Sequence, residues 1–453
     1  MDLIEIRERF NKFELNNRLF ELKDSKGNPT WDIIRPAVFF DIFDSYFSES
    51  SNTDDDITMN VPLIKRLSYH LKRLFTLIVY FACHWNKKNL VLLCSRNIKN
   101  GEYYDKIADS LMDSIDLNDS FIVETSIYCS SNNYKYGSSL PMIESLLRHL
   151  VVRKLKIGDV LDKLSAEFPD VKWRREIIED TYKRFYAQYY FYKIIIKSKN
   201  IGKCFLVQNG YQNGLYLAAQ ESGVPVYEFQ HGEITKNHIV YSYPSLLTSS
   251  SNIYKPTAIF TFGDFWLKDC NYPGVNKVSL GNDSYHINRD PSKEDHSKNI
   301  LVVSDMLYGK YLEPLVKRAV KANNLNDIIY YFKLHPNQEN EYNDYVEKFK
   351  EYSCVEVVRS TEMISDYLAK VAFILAVEST VEFEALSSGV KVMIYKRGYY
   401  QYVDCLFKED GVYLIDKETD LIDVYRNHLN DQIKDYGNYF FKGFDKELLK
   451  KYL

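Results

Sequence analysis

From about residue 88 onwards, short apolar runs alternate along the chain with amphipathic stretches. Five runs rich in Val, Ile, Leu and Phe come first, at 89–95, 121–128, 203–210, 224–232 and 257–263. Helical patterns separate them at 102–115, 138–199 and 213–222. Strands that are apolar on both faces and alternate with helices predict a parallel sheet that is covered on both sides.

The alternation restarts after a polar segment at 281–299, the best linker candidate of the chain. Apolar runs follow at 299–305, 327–336, 354–358, 371–379 and 390–396, with helical patterns at 311–323, 340–352, 362–369 and 380–388. This order predicts a second doubly wound unit. Two Rossmann-like units facing a cleft form the GT-B arrangement, although element order alone does not separate it from other two-domain α/β proteins.

The first 85 residues have a different, mainly helical character, interrupted by a polar segment at 48–58 that reads as a surface loop. The longest apolar run, 74–85, is shorter than the roughly 20 residues of a membrane-spanning helix and predicts a buried helix. The predicted domains are therefore a helical N-terminal extension (1–85), an N-terminal Rossmann-like acceptor domain (86–290) and a C-terminal Rossmann-like donor domain (291–453).

Composition and charge narrow the classes of function. Hydrophobic residues make up 45% of the chain, and 58 basic against 62 acidic residues give a net charge of −4, which disfavours nucleic-acid binding. Seven cysteines without a CxxC pair are typical of a reduced, cytoplasmic protein and make a zinc site improbable. The charged start of the chain is not a secretory leader.

The first candidate site follows the apolar run 224–229 and reads EFQHGE. Ligands of open parallel sheets bind beyond the carboxyl ends of strands. His231 titrates near neutrality, so it could act as a general base on an acceptor hydroxyl or contact a phosphate, assisted by Glu228 or Glu233. Gly232 permits a close backbone approach. The alternative, a histidine that only bonds a carbonyl beside a turn glycine, is the commoner case for an isolated His-Gly pair.

The second candidate is KLHP, at the end of the run 327–334. Pro336 stops the strand and biases His335 towards an extended backbone, which fixes where the imidazole points. A helix predicted to start near Asn340 would aim its free N–H groups at the same space, which suits a phosphate. Lys333 is a further donor-binding candidate, although it could be a plain strand-edge charge.

The third candidate, VESTVEFEAL, runs from the apolar strand 371–377 into a helix. Ser379 and Thr380 are good cap residues, and Glu382 lies three beyond Ser379, as a capping box requires. Structural capping is therefore one interpretation. In the other, these hydroxyls and the free N–H groups hold a phosphate, while Glu378 or Glu384 accepts hydrogen bonds from ribose hydroxyls.

Weaker signals follow other apolar runs. Asn209 and Gly210 begin a turn that lacks the three glycines of the dinucleotide fingerprint. Gly263 and Asn282 also follow apolar segments. Together with Gln230 and Gly232 they are predicted to line the cleft, or to be turns only. The chain has no P-loop, no GxSxG and no HExxH, and its only Asp-x-Asp match, at 54–56, lies in a polar loop, so no cofactor and no metal is expected.

The ordered set QHG (230–232), KLHP (333–336) and ESTVEFEAL (378–386) resembles bacterial GT-B enzymes that build surface polysaccharides. The His-Pro and Ser-Thr signatures resemble bacterial sialyltransferases and capsular Kdo transferases. The whole set is also similar to CDP-glycerol glycerophosphotransferases. The resemblance implies that His335, Ser379 and Thr380 bind the donor's phosphate, that Glu384 lies near the ribose or base, and that His231 lines the acceptor side.

The chain departs from these families in two places. It has no Asp-Asp-Gly or Glu-Asp-Gly motif like that of the sialyltransferase acid, which leaves the base open between His231 and a nearby carboxylate. It has Gln230 where the glycerophosphotransferases usually carry an aromatic residue. The resemblance favours a cytidine nucleotide in the donor, but because of these departures uridine and guanosine nucleotides stay open.

The resulting hypothesis is a metal-independent transfer of sugar from a nucleotide-activated donor to a growing lipopolysaccharide, capsule or lipid-linked glycan. Its rivals are a polyol phosphate transferase, a nucleotide-sugar epimerase and a non-catalytic subunit of a polysaccharide assembly complex. Basic residues within 144–199, and Lys442, Lys446 and Lys450 near the end, could contact the inner face of the cell membrane, although solvated surface helices share this pattern.

Overall fold

The computed structural model describes residues 2–47, 78–94, 97–99, 102–125, 137–138, 140–151, 155–207, 212–268, 270–285, 298–323 and 328–453. These residues form two compact units. Unit 1 comprises Met1–Thr261, Cys270–Ser284 and Phe444–Leu453, and unit 2 comprises Phe262–Asp269 and Tyr285–Gly443.

Unit 1 is built on a parallel sheet of seven strands in the order β5-β4-β1-β6-β7-β8-β9. Its strands are β1 (Asn89–Leu93), β4 (Ser120–Glu124), β5 (Gly137–Ser138), β6 (Lys203–Val207), β7 (Val226–Phe229), β8 (Ala258–Thr261) and β9 (Asn276–Ser279), with a separate antiparallel pair β2 (Asn97–Lys99) and β3 (Glu102–Tyr104). Its helices are α1 (Leu3–Asn16), α2 (Trp31–Phe47), α3 (Asp109–Met112), α4 (Leu140–Leu150), α5 (Gly158–Glu167), α6 (Arg175–Lys199) and α7 (Asn213–Gln220).

Unit 2 is built on a parallel sheet of six strands in the order β12-β11-β10-β13-β14-β15. Its strands are β10 (Asn299–Val303), β11 (Tyr330–Lys333), β12 (Val355–Val358), β13 (Val371–Ala376), β14 (Lys391–Tyr395) and β15 (Val412–Ile415). Its helices are α8 (Gly309–Asn323), α9 (Tyr342–Phe349), α10 (Ser365–Leu368), α11 (Thr380–Ser387), α12 (Glu418–His428) and α13 (Gly437–Phe440).

Both sheets are doubly wound, and the predicted α/β fold class with two Rossmann-like units is confirmed. In each sheet the first strand is central and the chain reverses its direction of winding beside it, so β1/β6 and β10/β13 are the topological switch points. The strands β1, β6, β8, β13 and β14 are buried almost throughout, which explains the continuous apolar runs of the sequence.

A last helix, α14 (Lys446–Lys450), returns the chain to unit 1. Leu449 is fully buried in the core of that unit, and the Tyr452 ring lies edge-on to Tyr227 and Phe260, at centroid distances of 5.4 and 5.0 Å. The unit boundaries therefore differ from the predicted division at 85/86 and 290/291. In this division the N-terminal helices α1 and α2 belong to unit 1.

Some predicted elements differ in the structure. The helical pattern 138–199 is three helices, and 102–115 begins with β3 before the short α3. The apolar run 74–85 is described only from residue 78, and there Ile78 and Trp85 are 56% and 66% exposed, so the prediction of a buried helix is wrong for this part. The loop 48–58 and most of the linker 281–299 lie outside the described residues.

Residues of the two surfaces considered for membrane contact also make contacts within the protein, and membrane contact stays a prediction. Arg148 and Arg174 form ion pairs with Asp180 and Asp41, at 2.5 and 2.6 Å. The apolar side of α14 faces the core of unit 1. Within the part of the chain that the structure describes, no helix combines the length and the apolar character needed to cross a bilayer.

Candidate functional site

The strand order of unit 2 brings two of the predicted motifs to one edge of its sheet. Both β11 and β13 pair with β10, so His335 and Ser379 follow the two neighbours of the central strand. Adjacent strands lie about 4.8 Å apart, which puts these two strand ends roughly 10 Å from each other. They therefore lie on either side of the end of β10, beside the β10/β13 switch point of unit 2, and open α/β sheets bind their ligands at such switch points.

His335 lies at the surface of this edge with the extended backbone that Pro336 predicts, at φ −68° and ψ 151°. Its Nδ1 accepts a hydrogen bond from the Asn337 N–H at 3.2 Å, so the ring proton of the neutral imidazole is on Nε2. Desolvation by the surrounding protein, and then the nearby Lys333 ammonium, lower the pKa of His335 below its ordinary value. At neutral pH this side chain is therefore a neutral hydrogen-bond donor.

The helix after His335 begins earlier than predicted. A 3-10 helix starts at Pro336, and His335 is its N-cap, whereas the sequence predicts a start near Asn340. The side-chain amide oxygen of Gln338, Oε1, accepts from the His335 N–H at 3.2 Å and completes a capping box. His335 thus combines a capping bond through Nδ1 with an Nε2–H that remains available to a ligand.

Lys333 is neither a donor-binding side chain nor a strand-edge charge. It is only 4% exposed, and its ammonium donates to the carbonyls of Leu334, Arg359 and Ser360 at 3.2, 2.8 and 3.0 Å. Burial lowers the pKa of Lys333 to about 8. Its place as a donor ligand is corrected accordingly: it ties the end of β11 to the loop after β12.

Ser379 is the N-cap of α11, as one of the two interpretations predicts. Its Oγ accepts from the Val381 N–H at 3.2 Å, while the Glu382 carboxylate accepts from the Ser379 N–H at 3.1 Å. The hydroxyl of Thr380, by contrast, has no hydrogen-bond partner among the described residues. As the first helical residue, Thr380 also has an N–H that the helix leaves without an acceptor.

The other two carboxylates of this motif differ in surroundings. Glu378 precedes the cap and is partly exposed, and its charge lies close to Tyr308; burial and then Glu378 raise the pKa of that phenol. Glu384 is only 8% exposed, although it lies four residues beyond Thr380 on the same side of α11. A ribose contact of either carboxylate stays a prediction.

The loop between β10 and α8 belongs to the same edge and is not among the sites predicted from the sequence. The Asp305 carboxylate accepts from the N–H groups of Leu307 and Tyr308 at 2.6 Å each. A Cβ on Gly309 would lie 2.4 Å from the Tyr345 hydroxyl and 2.6 Å from Ser304 Oγ, so a larger residue would displace these two groups. Met306 and Leu307 are exposed, at 55% and 53%. The pattern SDMLYG after a strand was the available signal.

In unit 1 the Glu228 carboxylate has a structural environment. Glu228 lies inside β7 rather than after it, is fully buried, and accepts from the hydroxyls of Tyr216 and Tyr241 at 2.9 and 2.7 Å. A base must reach an acceptor hydroxyl. Glu228 is therefore corrected from a catalytic candidate to a core residue that binds two tyrosines.

Residues 230–243 follow β7 and are called the His231 loop. Gln230 is fully buried at its start, and its side-chain amide donates to the Gly232 carbonyl at 2.7 Å. Gly232 does not have a positive φ, and a Cβ there would meet no atom of the protein within 4 Å, so the fold itself does not require glycine at this position; a close approach of a ligand to its backbone stays a prediction. Gln230 thus shapes the loop from within and does not line an open surface.

Three titratable groups lie along the His231 loop. His231 and Glu233 are partly exposed, and the protein around Glu233 desolvates its carboxylate and raises its pKa to about 7. His238 was missed from the sequence. Burial, then the positive charges of His231 and Arg7, lower the pKa of His238 to about 3. The loop therefore offers a carboxyl group that titrates near neutrality beside a pair of histidines.

The remaining predicted positions have other roles or lie elsewhere. Asn209 and Gly210 are outside the described residues. Gly263 packs against backbone, since a Cβ there would come within 2.6 Å of the Phe440 carbonyl. Asn282 is 3% exposed and uses its amide within unit 1, donating to the Ile107 carbonyl and accepting from the Ser284 N–H, both at 2.9 Å. The side chain of Asn282 is not a lining group.

Comparisons with known proteins concern the fold alone. No protein-family model and no curated protein matches the sequence. Among solved structures, the S. aureus MnaA–UDP co-structure has a TM-score of 0.46 at 13% identity, over 81% of this chain and 96% of that one. The UDP-GlcNAc 2-epimerase of Methanocaldococcus jannaschii has a TM-score of 0.47 at 12% identity, over 81% and 99%. Acinetobacter baumannii MurG has a TM-score of 0.44 at 11% identity, over 76% and 91%.

Proposed function

We propose that this chain is a metal-independent glycosyltransferase that uses a nucleotide-activated sugar. The observation that carries the proposal is the edge of unit 2, where a neutral imidazole donor and the first residue of a capped helix lie beside the switch point of a parallel sheet. Helix N-termini at such positions favour anions, and a nucleotide sugar carries one in its phosphate.

In this scheme, the donor phosphate binds between His335 and Thr380. Thr380 supplies its hydroxyl and its backbone N–H, and His335 supplies Nε2–H. These groups stabilise the negative charge that develops on the phosphate as the bond to the sugar breaks. Ser379 orders this helix start through its capping bonds and does not itself need to reach the ligand.

The acceptor hydroxyl is deprotonated by a group of the His231 loop. Glu233 is the better candidate for the base, because a carboxylate with a pKa of about 7 can take a proton at neutral pH and still be regenerated. His231 then binds or orients the acceptor hydroxyl. The acceptor is a glycan or lipid-linked glycan, as the resemblance of the motifs implies.

The first test is a thermal-shift screen against CMP, CDP, UDP and GDP. A ligand that binds the folded state raises its apparent stability, so one of the four should raise the melting temperature. The screen also tests the lean towards cytidine, and it includes uridine because UDP appears in the names of the structural neighbours. No shift with any of them would favour a non-catalytic subunit.

The second test follows the transferred group. Mass spectrometry of the product distinguishes a sugar from a polyol phosphate. Consumption of UDP-N-acetylglucosamine with no acceptor present would indicate an epimerase instead. Activity should persist in EDTA. Full transfer activity in folded His231→Ala and His335→Ala variants would contradict the assignment of both sites.

A further inference from the structure

A buried ion pair joins the two N-terminal helices. Glu14 of α1 and Arg35 of α2 are 0% and 1% exposed, and the guanidinium binds the carboxylate through two bonds, Nε to Oε1 at 2.6 Å and Nη2 to Oε2 at 3.2 Å. The indole N–H of Trp31 donates to the same carboxylate at 2.7 Å. The Glu14 carboxylate is thus held from two sides and fixes the plane of the Arg35 guanidinium.

The same guanidinium binds the His231 loop. Its Nη1 donates to the Ile239 carbonyl, and its Nη2 to the Ser242 carbonyl at 3.2 Å. Arg7, from α1, donates to the Ser242 carbonyl as well, at 3.1 Å. These contacts link residues more than 200 positions apart. They also satisfy backbone acceptors of a segment that forms neither a helix nor a strand.

A second charged group of α2 binds the end of this loop. Asp32 is 4% exposed and accepts from the Tyr243 hydroxyl at 2.9 Å and from the Tyr254 N–H at 2.6 Å. The Arg35 guanidinium also lies over the Tyr243 ring, 4.6 Å from its centroid. The last residues of the His231 loop are therefore bound to α2 through backbone, hydroxyl and ring.

Stability alone does not explain the buried ion pair of Glu14 and Arg35. Replacing a buried ion pair by apolar residues of similar volume is often neutral or stabilising, because burying two charges is unfavourable. What an apolar pair lacks is direction: a guanidinium donates along fixed lines, and here those lines end on a carboxylate and on two carbonyls of the loop. The pair therefore sets a geometry.

We propose that Arg35, oriented by Glu14, is a positioning residue that holds the His231 loop in the conformation needed for catalysis. This inference rests on the proposed function, in which His231 and Glu233 act on the acceptor. Neither Arg35 nor Glu14 touches the substrate in this scheme. The N-terminal helices thus become part of the catalytic apparatus of unit 1.

The test variant is Arg35→Lys in the full chain, which keeps the charge and loses the fork. A misplacement of about 1 Å at reacting groups can lower a rate about 100-fold, so we expect kcat to fall ten- to 100-fold. The donor KM should change less than twofold, since the donor phosphate binds unit 2. Amide hydrogen exchange across 238–243 should become at least tenfold faster.

The matched control is Arg174→Lys. Arg174 also binds α2, through Asp41, with Nε–Oδ1 at 2.6 Å and its backbone N–H on Oδ2 at 2.8 Å, and it donates no hydrogen bond to the His231 loop. We expect this control to lower the melting temperature while kcat and the loop's exchange stay at wild-type values. Should Arg35→Lys fail to fold, Arg7→Lys is the second variant. It replaces the guanidinium that donates to the Ser242 carbonyl and should lower kcat several-fold.

The outcomes separate the two proposals. An Arg35→Lys enzyme with lower thermal stability but wild-type kcat and wild-type exchange in 238–243 would overturn the positioning role. If the wild-type chain does not turn over UDP-N-acetylglucosamine or any sugar donor of the nucleotide that binds, the proposed function fails. Hydrogen exchange alone then decides whether Arg35 orders the loop, and unchanged exchange counts against it.

Discussion

The two units share a strand order but hold the polar groups at their strand ends in different ways. In unit 2, His335 and Ser379 are placed by capping bonds to residues two or three positions away. In unit 1, the His231 loop is held by Arg35 and Arg7, from helices near the start of the chain. Local bonds suffice to place the polar groups at the edge of unit 2, whereas the His231 loop, which forms neither a helix nor a strand, is held by side chains from distant elements.

One feature is common to both units and shows how similar their frameworks are. Asp105 of unit 1 accepts from the N–H groups of Ile107 and Ala108 at 2.9 and 3.2 Å, in the connection that leads from the first strand to its helix. Asp305 of unit 2 makes the same pair of bonds in the equivalent connection. The units therefore differ in the loops that follow their later strands, and these loops carry the proposed chemistry.

The largest effect on activity is expected at Glu233, the proposed catalytic base in the His231 loop of unit 1. Glu233→Gln removes the proposed base and should lower kcat by about 100- to 10,000-fold, the range of general acid–base catalysis. Nucleotide affinity, measured by calorimetry, should stay within twofold because the proposed nucleotide site lies in unit 2. A Glu233→Gln enzyme that keeps wild-type kcat and loses nucleotide affinity would contradict the proposal that unit 1 supplies the base and unit 2 the nucleotide site.

The pH dependence of stability tests the same loop without a substrate. The pKa of Glu233 rises from 4.5 to about 7 on folding, so its contribution is fully present below about pH 4.5 and is lost as the pH rises through 7. Glu233→Gln should therefore gain up to roughly 3 kcal/mol over wild type at pH 8 and nothing at pH 4, by urea unfolding. The exposed control Glu347→Gln should show no such difference. An equal gain at both pH values would refute the raised pKa of Glu233.

A smaller effect is expected at His335. His335→Ala removes one proposed hydrogen bond to a phosphate and should weaken nucleotide binding about ten- to 100-fold, as is usual for a bond to a charged group. The control is His428→Ala, a histidine of α12 whose Nδ1 lies 2.7 Å from Asp431. Equal affinities for wild type and both variants in a titration with the nucleotide would remove His335 from the site.

The smallest effects separate two neighbouring hydroxyls. Ser379→Ala loses the N-cap of α11 and should cost about 1 kcal/mol of stability. Thr380→Val keeps the cap and loses the free hydroxyl, so it should weaken nucleotide binding a few-fold at unchanged stability. Chemical unfolding and nucleotide titration of both variants measure the two quantities. Equal losses of stability would show that Thr380 has no separate role.

The sequence predicts much of the framework and of the unit 2 edge. Nine of the named strands lie within the apolar runs and β4 begins one residue before its run, because buried parallel strands need continuous apolar segments. The cap at Ser379 and the extended backbone of His335 follow from neighbours along the chain. The edge strand β9 was not predicted because its sequence, NKVS, contains a single apolar residue, whereas the edge strand β15 has the apolar sequence VYLI and was overlooked.

The unit 1 site could not be predicted in the same way. Nothing in EFQHGE separates Glu228 from Glu233, yet one is sealed by Tyr216 and Tyr241 and the other titrates near neutrality. His238 has no motif, and its low pKa depends on burial by a fold assembled from remote segments. Lys333 likewise reads as a surface charge until the loop carbonyls around it are known.

The return of residues 444–453 to unit 1 has a consequence for synthesis of the protein. Leu449 and Tyr452 pack on a core formed by the strands of unit 1. The first of these strands, β1, is translated some 360 residues earlier. During translation, the apolar surface of unit 1 that Leu449 and Tyr452 cover therefore stays exposed until the second unit has been synthesised. Folding of the first-made unit finishes last, and aggregation of nascent chains should concentrate on that uncovered surface.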